Sequence, residues 1–232
     1  MQVAAIVPAF NEAERVGVVI DVLRQVKGLA EIIVVDDGST DGTYEVLQRE
    51  PGVRAVRLEQ NSGKAGALVA GAKASRSEVL VFLDADLIAL EPEHVEALLA
   101  PVVRGEADMA LAVFHGGRWR TDWALKLVPN ISGQRALYRD FFLSLTGLTE
   151  ARYGIETAIT HQAIEQGLRI QRVPWERVTH VMKEEKLGLA RGTFERAKMY
   201  FQIFAYLSHS ARRNGSSKSC SKTETITTPP KK

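Results

Sequence analysis

The chain has 232 residues, 45% of them hydrophobic and 25% charged, with a net charge of +2. That is the composition of a soluble globular protein long enough for one domain with a buried core, and no nucleic-acid partner is expected. Its one cysteine, Cys220, excludes a disulfide framework and a cysteine-based metal site.

The apolar run VAAIVP (3–8) ends in proline and reads as a buried strand. Residues 13–27 place Val16, Val19, Ile20, Leu23 and Val26 at helical spacing. EIIVVDDGST (31–40) is a second buried strand closing in a turn, where Ser39 or Thr40 can cap the next helix. VRAVRL (53–58) alternates as a third strand, residues 63–75 form a helix of small side chains, and EVLVFLDAD (78–86) is a fourth strand. A helix over 92–103 and a strand at ADMALAV (107–113) follow. Beyond residue 114 the alternation breaks. Helices are expected over 135–145 and 155–167, strands at 168–175 and 177–182, and a last helix over 190–212. From Asn214 the Ser/Thr/Lys/Pro-rich tail is expected to be disordered.

Strand–helix alternation with short buried strands predicts an α/β fold around a mostly parallel sheet. Ligands bind such sheets beyond the carboxyl ends of the strands. PAFNE, DDGSTDGT and DAD stand at three such ends, so they form a site. In extended chain the side-chain period is two, so Asp84 and Asp86 would point the same way. Holding two carboxylates together costs free energy unless a cation or donor groups sit between them. A divalent metal is the usual answer.

VPAFNE (7–12), VVDDGSTDGT (34–43), NSGKAGAL (61–68) and FLDAD (82–86), in this order, resemble the nucleotide-binding half of the GT-A glycosyltransferases of the family 2 type. GGR (116–118), SGQRAL (132–137), RYGIETAI (152–159) and HVMK (180–183) resemble the glucosyl-3-phosphoglycerate synthase branch and its relatives. The resemblance implies a GT-A, Rossmann-like fold and transfer of a hexose from a nucleoside-diphosphate sugar to an acceptor hydroxyl. UDP-glucose is the first donor expected and GDP-mannose the second. The domain expected is 1–212, with a nucleotide-binding half (1–113), an acceptor half and C-terminal helix (114–212), and a basic tail (213–232).

The resemblance also assigns roles. Asp37 accepts from a nucleobase imide N–H, a bond suited to a carboxylate. Glu12 takes the ribose hydroxyls, and backbone groups of Pro8 and Ala9 edge the base. Lys64, after Gly63 at a helix start, suits phosphate or base contacts. GKAG lacks the spacing of a Walker loop. DAD is the DxD motif: Asp86 ligates Mg²⁺ or Mn²⁺, and Asp84 holds the ribose or a metal-bound water. His180 is the third protein-side candidate for the metal, with Lys183 beside the diphosphate. Arg118, Arg120, Ser132 and Gly133 belong to the acceptor side, where the arginines suit an anionic acceptor such as a phosphorylated acid or phospholipid. Glu156 orients an acceptor hydroxyl or acts as a base. Each residue has a bland reading beside this one: turn and cap for Asp36 and Asp37, a helix N-terminal acid for Glu156, and exposed loop arginines for Arg118 and Arg120.

Two rival enzyme classes leave traces that are missing here. A sugar-nucleotide pyrophosphorylase would carry a Gly-rich, Arg-containing loop after the first strand, and hydride transfer would need G-x-G-x-x-G there. PAFNEAERV has neither. A non-catalytic binding protein on the same fold would have lost a metal or diphosphate residue, whereas Asp84, Asp86, His180 and Lys183 are all present.

Charge is uneven. Residues 183–232 carry eleven Lys/Arg against four Asp/Glu, or +7, and the remainder carries −5. The segment 193–207 holds five aromatics, Phe194, Tyr200, Phe201, Phe204 and Tyr206. Core packing, a homodimer contact and a peripheral membrane contact are the three uses open to it. The start MQVAAIVP lacks a basic n-region, and no stretch approaches the roughly 20 apolar residues of a membrane span. The expected place is therefore the cytoplasm, with the basic end reaching the inner face of the membrane.

Overall fold

The computed structural model of the chain describes residues 1–115, 132–148 and 154–180. Arg118, Arg120, Lys183, the expected helix over 190–212 and the tail lie outside the described residues.

In chain order the elements are β1 Val3–Ala9, α1 Val16–Leu23, β2 Leu29–Asp36, α2 Thr43–Arg49, β3 Val53–Arg57, α3 Gly63–Ala74, β4 Val79–Phe82 and β5 Leu87–Ile88. Then come α4 Pro92–Val103, β6 Met109–His115, β7 Arg135–Tyr138, α5 Arg139–Ser144, α6 Ile155–Glu165, β8 Ile170–Glu176 and β9 Thr179–His180. Seven strands form one sheet in the order β3-β2-β1-β4-β7-β6-β8, and β5 pairs with β9 apart from it. Within the large sheet only β7 runs against its neighbours, antiparallel to both β4 and β6.

The core lies on both faces of this sheet. Val3, Ala5, Val7 and Ala9 of β1 pack into one hydrophobic cluster with Val16, Val19, Ile20 and Leu23 of α1 and Val95 and Leu98 of α4. Ala4 and Ile6 point the other way, to a cluster with Leu68 and Ala72 of α3, Phe142 of α5 and Ile159 of α6. A strand covered on both faces needs apolar side chains at every position, which is why VAAIV is a continuous run rather than an alternation. Phe82 and Phe142 meet edge-on, with ring centroids 4.7 Å apart. α4 begins where expected because Glu91 and His94 form a capping box and Pro92 takes a first-turn position.

Three local expectations are corrected. Residues 135–138 form strand β7, and only 139–144 are helical. RALY is only four residues long, so its pattern cannot separate a buried strand from a helix turn. The fourth strand stops at Phe82, and Ala85 and Asp86 lie in a turn, so the extended-chain reason for aligning Asp84 with Asp86 does not hold. Neither Ser39 nor Thr40 caps α2. Its N-cap is Gly42, in the left-handed conformation, and Ser39 Oγ instead accepts from the Asn11 N–H at 2.9 Å.

Because β1, β2, β3 and β4 are parallel, their carboxyl ends share one edge of the sheet. β7 enters from that same edge. Arg135 is paired with Phe82, so Ser132, Gly133 and Gln134 lie beside the segment that follows β4.

Candidate active site

The base side is built on β1 and β2. Ala9 is paired with Asp36 and Pro8 with Val35, and the Asp37 N–H donates to the Ala9 carbonyl at 2.8 Å. Asp37 Oδ1 accepts from the Ser62 N–H at 2.7 Å, which ties the end of β2 to the loop that opens α3. Gly38 makes this closeness feasible. Its φ is +74°, and a Cβ there would lie 3.0 Å from the Asn61 nitrogen. Burial pushes the Asp37 carboxyl above its ordinary value, and the backbone N–H groups of Ser62 and Gly63 pull against that shift. Glu12 is buried beside this group. Its N–H donates to Thr43 Oγ1 at 3.0 Å, and its carboxylate meets Arg15 at 3.3 Å.

A second group forms where α3, β4, β7 and α6 converge. Lys64 Nζ lies 2.6 Å from Asp84 Oδ1 and 2.8 Å from Glu156 Oε1. The other oxygen of Asp84 accepts from Gln134 Nε2 at 2.8 Å. Gly133 closes over the pair: a Cβ on it would come within 2.6 Å of Lys64 Nζ and 3.0 Å of Asp84 Oδ2. A side chain there would have to push the Lys64 ammonium or the Asp84 carboxylate aside. Burial pulls the Lys64 ammonium down, but Asp84 and Glu156 outweigh it and leave its pKa above the usual lysine value. Burial pushes Glu156 up, and Lys64 and then Arg135 bring it below the ordinary carboxylate value. Glu156 is therefore ionised at neutral pH.

The third group is defined by backbone pairing. β5 begins directly after Asp86, and Leu87 is paired with His180. The chain that leaves β8 thus returns His180 to the position beside the second aspartate. Among the described residues no three His, Cys, Asp or Glu side chains gather as a metal cluster. A carboxylate and an imidazole on adjacent backbone fit an ion that completes its shell from diphosphate oxygens and water, as Mg²⁺ and Mn²⁺ do.

The structure therefore brings Lys64, Asp84, Ser132, Gly133 and Glu156 into one place, with Pro8, Ala9, Glu12 and Asp37 along the same sheet edge. Two site residues were missed in the sequence although SGQRAL was singled out. Gln134 holds Asp84, and the fully buried Arg135 holds the backbone around Glu156. A glutamine and an arginine in consecutive positions running into Ala136 and Leu137 were the available signal. A cavity of about 620 Å³ lies at the opposite sheet edge between α6 and the start of β8, with Ile164 and Arg169 in its wall. None of the expected site residues lines it.

The family model for glycosyl transferase family 2 matches residues 4–153. The chain belongs to that family. As a family 2 glycosyltransferase it is 28% identical over 215 residues to an undecaprenyl-phosphate mannosyltransferase of Micrococcus luteus, covering 81% of this chain and 88% of the relative. It is 38% identical over 113 residues to a glucosyl-3-phosphoglycerate synthase of Mycolicibacterium paratuberculosis, which covers 45% of this chain and 34% of that one. Among solved structures, it is similar to the glucosyl-3-phosphoglycerate synthase of Mycobacterium tuberculosis in complex with Mn²⁺, uridine diphosphate and glucosyl-3-phosphoglycerate. The TM-score is 0.71 at 28% identity, over 89% of this chain and 78% of that one. The same synthase is also known with Mg²⁺ and uridine diphosphate. The fold of the family 2 enzyme described here is thus the GT-A type that its motifs imply.

Proposed function

We propose that this glycosyltransferase moves a hexose from a nucleoside-diphosphate sugar, UDP-glucose first and GDP-mannose second, to a hydroxyl of an anionic acceptor. The observation that carries the reading is the Lys64 ammonium set between Asp84 and Glu156. With Asp84 read as the donor-side carboxylate and Glu156 as the acceptor-side one, that cation would link the two halves of the reaction. The solved synthase with its uridine nucleotide and metal supports the donor class.

In this reading Asp37, Glu12 and the Pro8–Ala9 backbone hold the nucleoside, while Lys64 and Lys183 neutralise diphosphate charge. Asp86 and His180 would hold the Mg²⁺ or Mn²⁺, which supplies Lewis-acid stabilisation of the departing nucleoside diphosphate. Glu156 orients the acceptor. A carboxylate held below its ordinary pKa is a strong hydrogen-bond acceptor for a hydroxyl and a poor match for a general base at neutral pH. Gly133 keeps the floor between donor and acceptor free of side chain. Arg118 and Arg120 supply the acceptor's anion with forked donors. The basic stretch 183–232 draws the chain to an anionic surface, which matters most if the acceptor is a lipid.

The test is a product analysis. The protein is incubated with Mn²⁺ and UDP-glucose or GDP-mannose, together with 3-phosphoglycerate, which offers a hydroxyl, or undecaprenyl phosphate in detergent, whose phosphate oxygen would take the hexose instead. Mass spectrometry is expected to find one acceptor carrying an added hexose, with stoichiometric nucleoside diphosphate. No hexose transfer from either donor to either acceptor would count against the substrate assignment.

A further inference from the structure

Arg135 is 1% exposed at the start of β7, and burying a guanidinium is costly unless its donors are used. They are used in a specific way. One terminal nitrogen donates to the Glu156 carbonyl at 3.2 Å and to Thr160 Oγ1 at 3.4 Å, both on α6. The other donates to the Ser132 carbonyl. Thr160 Oγ1 itself donates to the Glu156 carbonyl at 2.8 Å. One side chain thus binds the first turn of α6 to the residue that precedes Gly133. Those two backbone segments carry the acceptor-side carboxylate and the glycine that lies against Lys64 and Asp84.

We propose that Arg135 is a positioning residue for transfer, fixing Glu156 and the Ser132–Gly133 backbone in one geometry and supplying a second, immobile cation for the Glu156 carboxylate. The proposal rests on the acceptor-side role given to Glu156 above. Its logic comes from the two cations around that carboxylate. Lys64 is on a flexible stem and is wanted by the donor's phosphates, so its contact with Glu156 is lost when it turns to them. Arg135 is held by three acceptors, two on α6 and one in the segment ahead of β7, and stays. Glu156 then keeps its charge through the donor-bound state, when the acceptor must be oriented. The charged groups facing Glu156 are Lys64 from α3, Arg135 from β7 and Asp84 after β4. Burial lowers the Arg135 guanidinium to about 10, against the pull of Glu156 and Asp84, so it remains a cation at neutral pH.

Two variants separate charge from geometry. Arg135→Met removes both, and Arg135→Lys keeps the charge but cannot reach three acceptors at once. Folding is checked by thermal unfolding, donor-site integrity by calorimetry with UDP and Mn²⁺, and Glu156 directly by ¹³C-carboxyl NMR assigned with Glu156→Gln. In Arg135→Met the Glu156 titration midpoint should rise by about one pH unit, with UDP affinity within about two-fold of wild type. In Arg135→Lys the midpoint should stay near wild type while kcat for transfer falls by about ten-fold. Arg135→Met combined with Glu156→Gln should lose far less than the product of the two single losses, because both act through one group. If Arg135→Met does not fold, the Arg135→Lys kinetics decide. An unmoved Glu156 midpoint in folded Arg135→Met, wild-type turnover in Arg135→Lys, or fully multiplicative losses would each overturn the proposal. The NMR needs no acceptor, so it reads the inference even if the substrates assigned above are wrong.

Discussion

Lys64 Nζ stands 2.6 Å from Asp84 Oδ1, joining the first turn of α3 to the segment after β4 with a single ion pair. The same ammonium reaches Glu156 on α6 at 2.8 Å, so one lysine neutralises two carboxylates from distant parts of the chain. Replacing it by methionine would leave those carboxylates facing each other without the cation between them. Lys64→Met should lower unfolding free energy by on the order of 3 kcal/mol, measured by denaturant titration. Adding Glu156→Gln should recover part of that loss. A double variant no more stable than the single would show that the two carboxylates do not repel through this site.

The same cluster sets a pH dependence. Glu156 is held below its ordinary value in the folded chain. The stability it contributes is therefore complete above the unfolded carboxylate range and lost as pH falls through its lowered folded pKa. Lys64 is raised, so its contribution is complete below the unfolded lysine value and lost as pH climbs through the folded one. Stability from the pair should be flat between roughly pH 5 and 10 and fall on both sides. Glu156→Gln should flatten the acid slope. An unchanged slope would place the acid sensitivity elsewhere.

Much of this was legible in the sequence, and for a physical reason. Strands β1 and β4 and the second half of β2 are buried on both faces, so they appear as apolar runs whose polar ends mark one sheet edge. Asp37 and Glu12 stand at two of those ends, while their roles, and the choice of Lys64 after β3, came from the family resemblance of the motifs. The second half was harder because β7 is four residues long and reversed. So short a segment has no period of its own, and only the pairing of Arg135 with Phe82 brings Gln134 beside Asp84. The partnership of Lys64 with Glu156 was equally hidden, since the two residues are 92 positions apart and nothing local links them. His180 was singled out by its place in HVMK, and its backbone is paired with Leu87, the residue after Asp86.

Asp37→Asn should separate binding from stability. Burial raises the Asp37 carboxyl, so ionisation at neutral pH costs the empty protein free energy that an amide avoids. The variant should unfold at the wild-type temperature or above it. Its affinity for a uridine nucleotide should fall at least a few-fold, as expected when a charged hydrogen bond of about 1.5–3 kcal/mol is lost. Calorimetry returning wild-type affinity would leave Asp37 as a residue of the turn.

The excess charge of residues 183–232 leads to a test on vesicles. Each basic residue near an anionic leaflet contributes about 1 kcal/mol of attraction, and the Debye length of roughly 3 Å at 1 M salt screens it. Co-sedimentation with anionic vesicles should be strong at low salt and fall when Arg212, Arg213 and Lys218 are changed to Glu. If the wild type ignores anionic vesicles at low salt, the basic stretch serves another purpose.

The most direct test of metal-dependent sugar transfer is the release of nucleoside diphosphate from UDP-glucose by wild type and Asp86→Ala, with and without Mn²⁺, in the presence of the acceptor identified by product analysis. Wild type should turn over only with the metal. Asp86→Ala, which removes a half-buried carboxylate from a turn without opening the core, should fold normally, lose at least about a hundred-fold in turnover and bind UDP with an affinity insensitive to Mn²⁺. Wild-type turnover by Asp86→Ala at saturating Mn²⁺ would contradict the account.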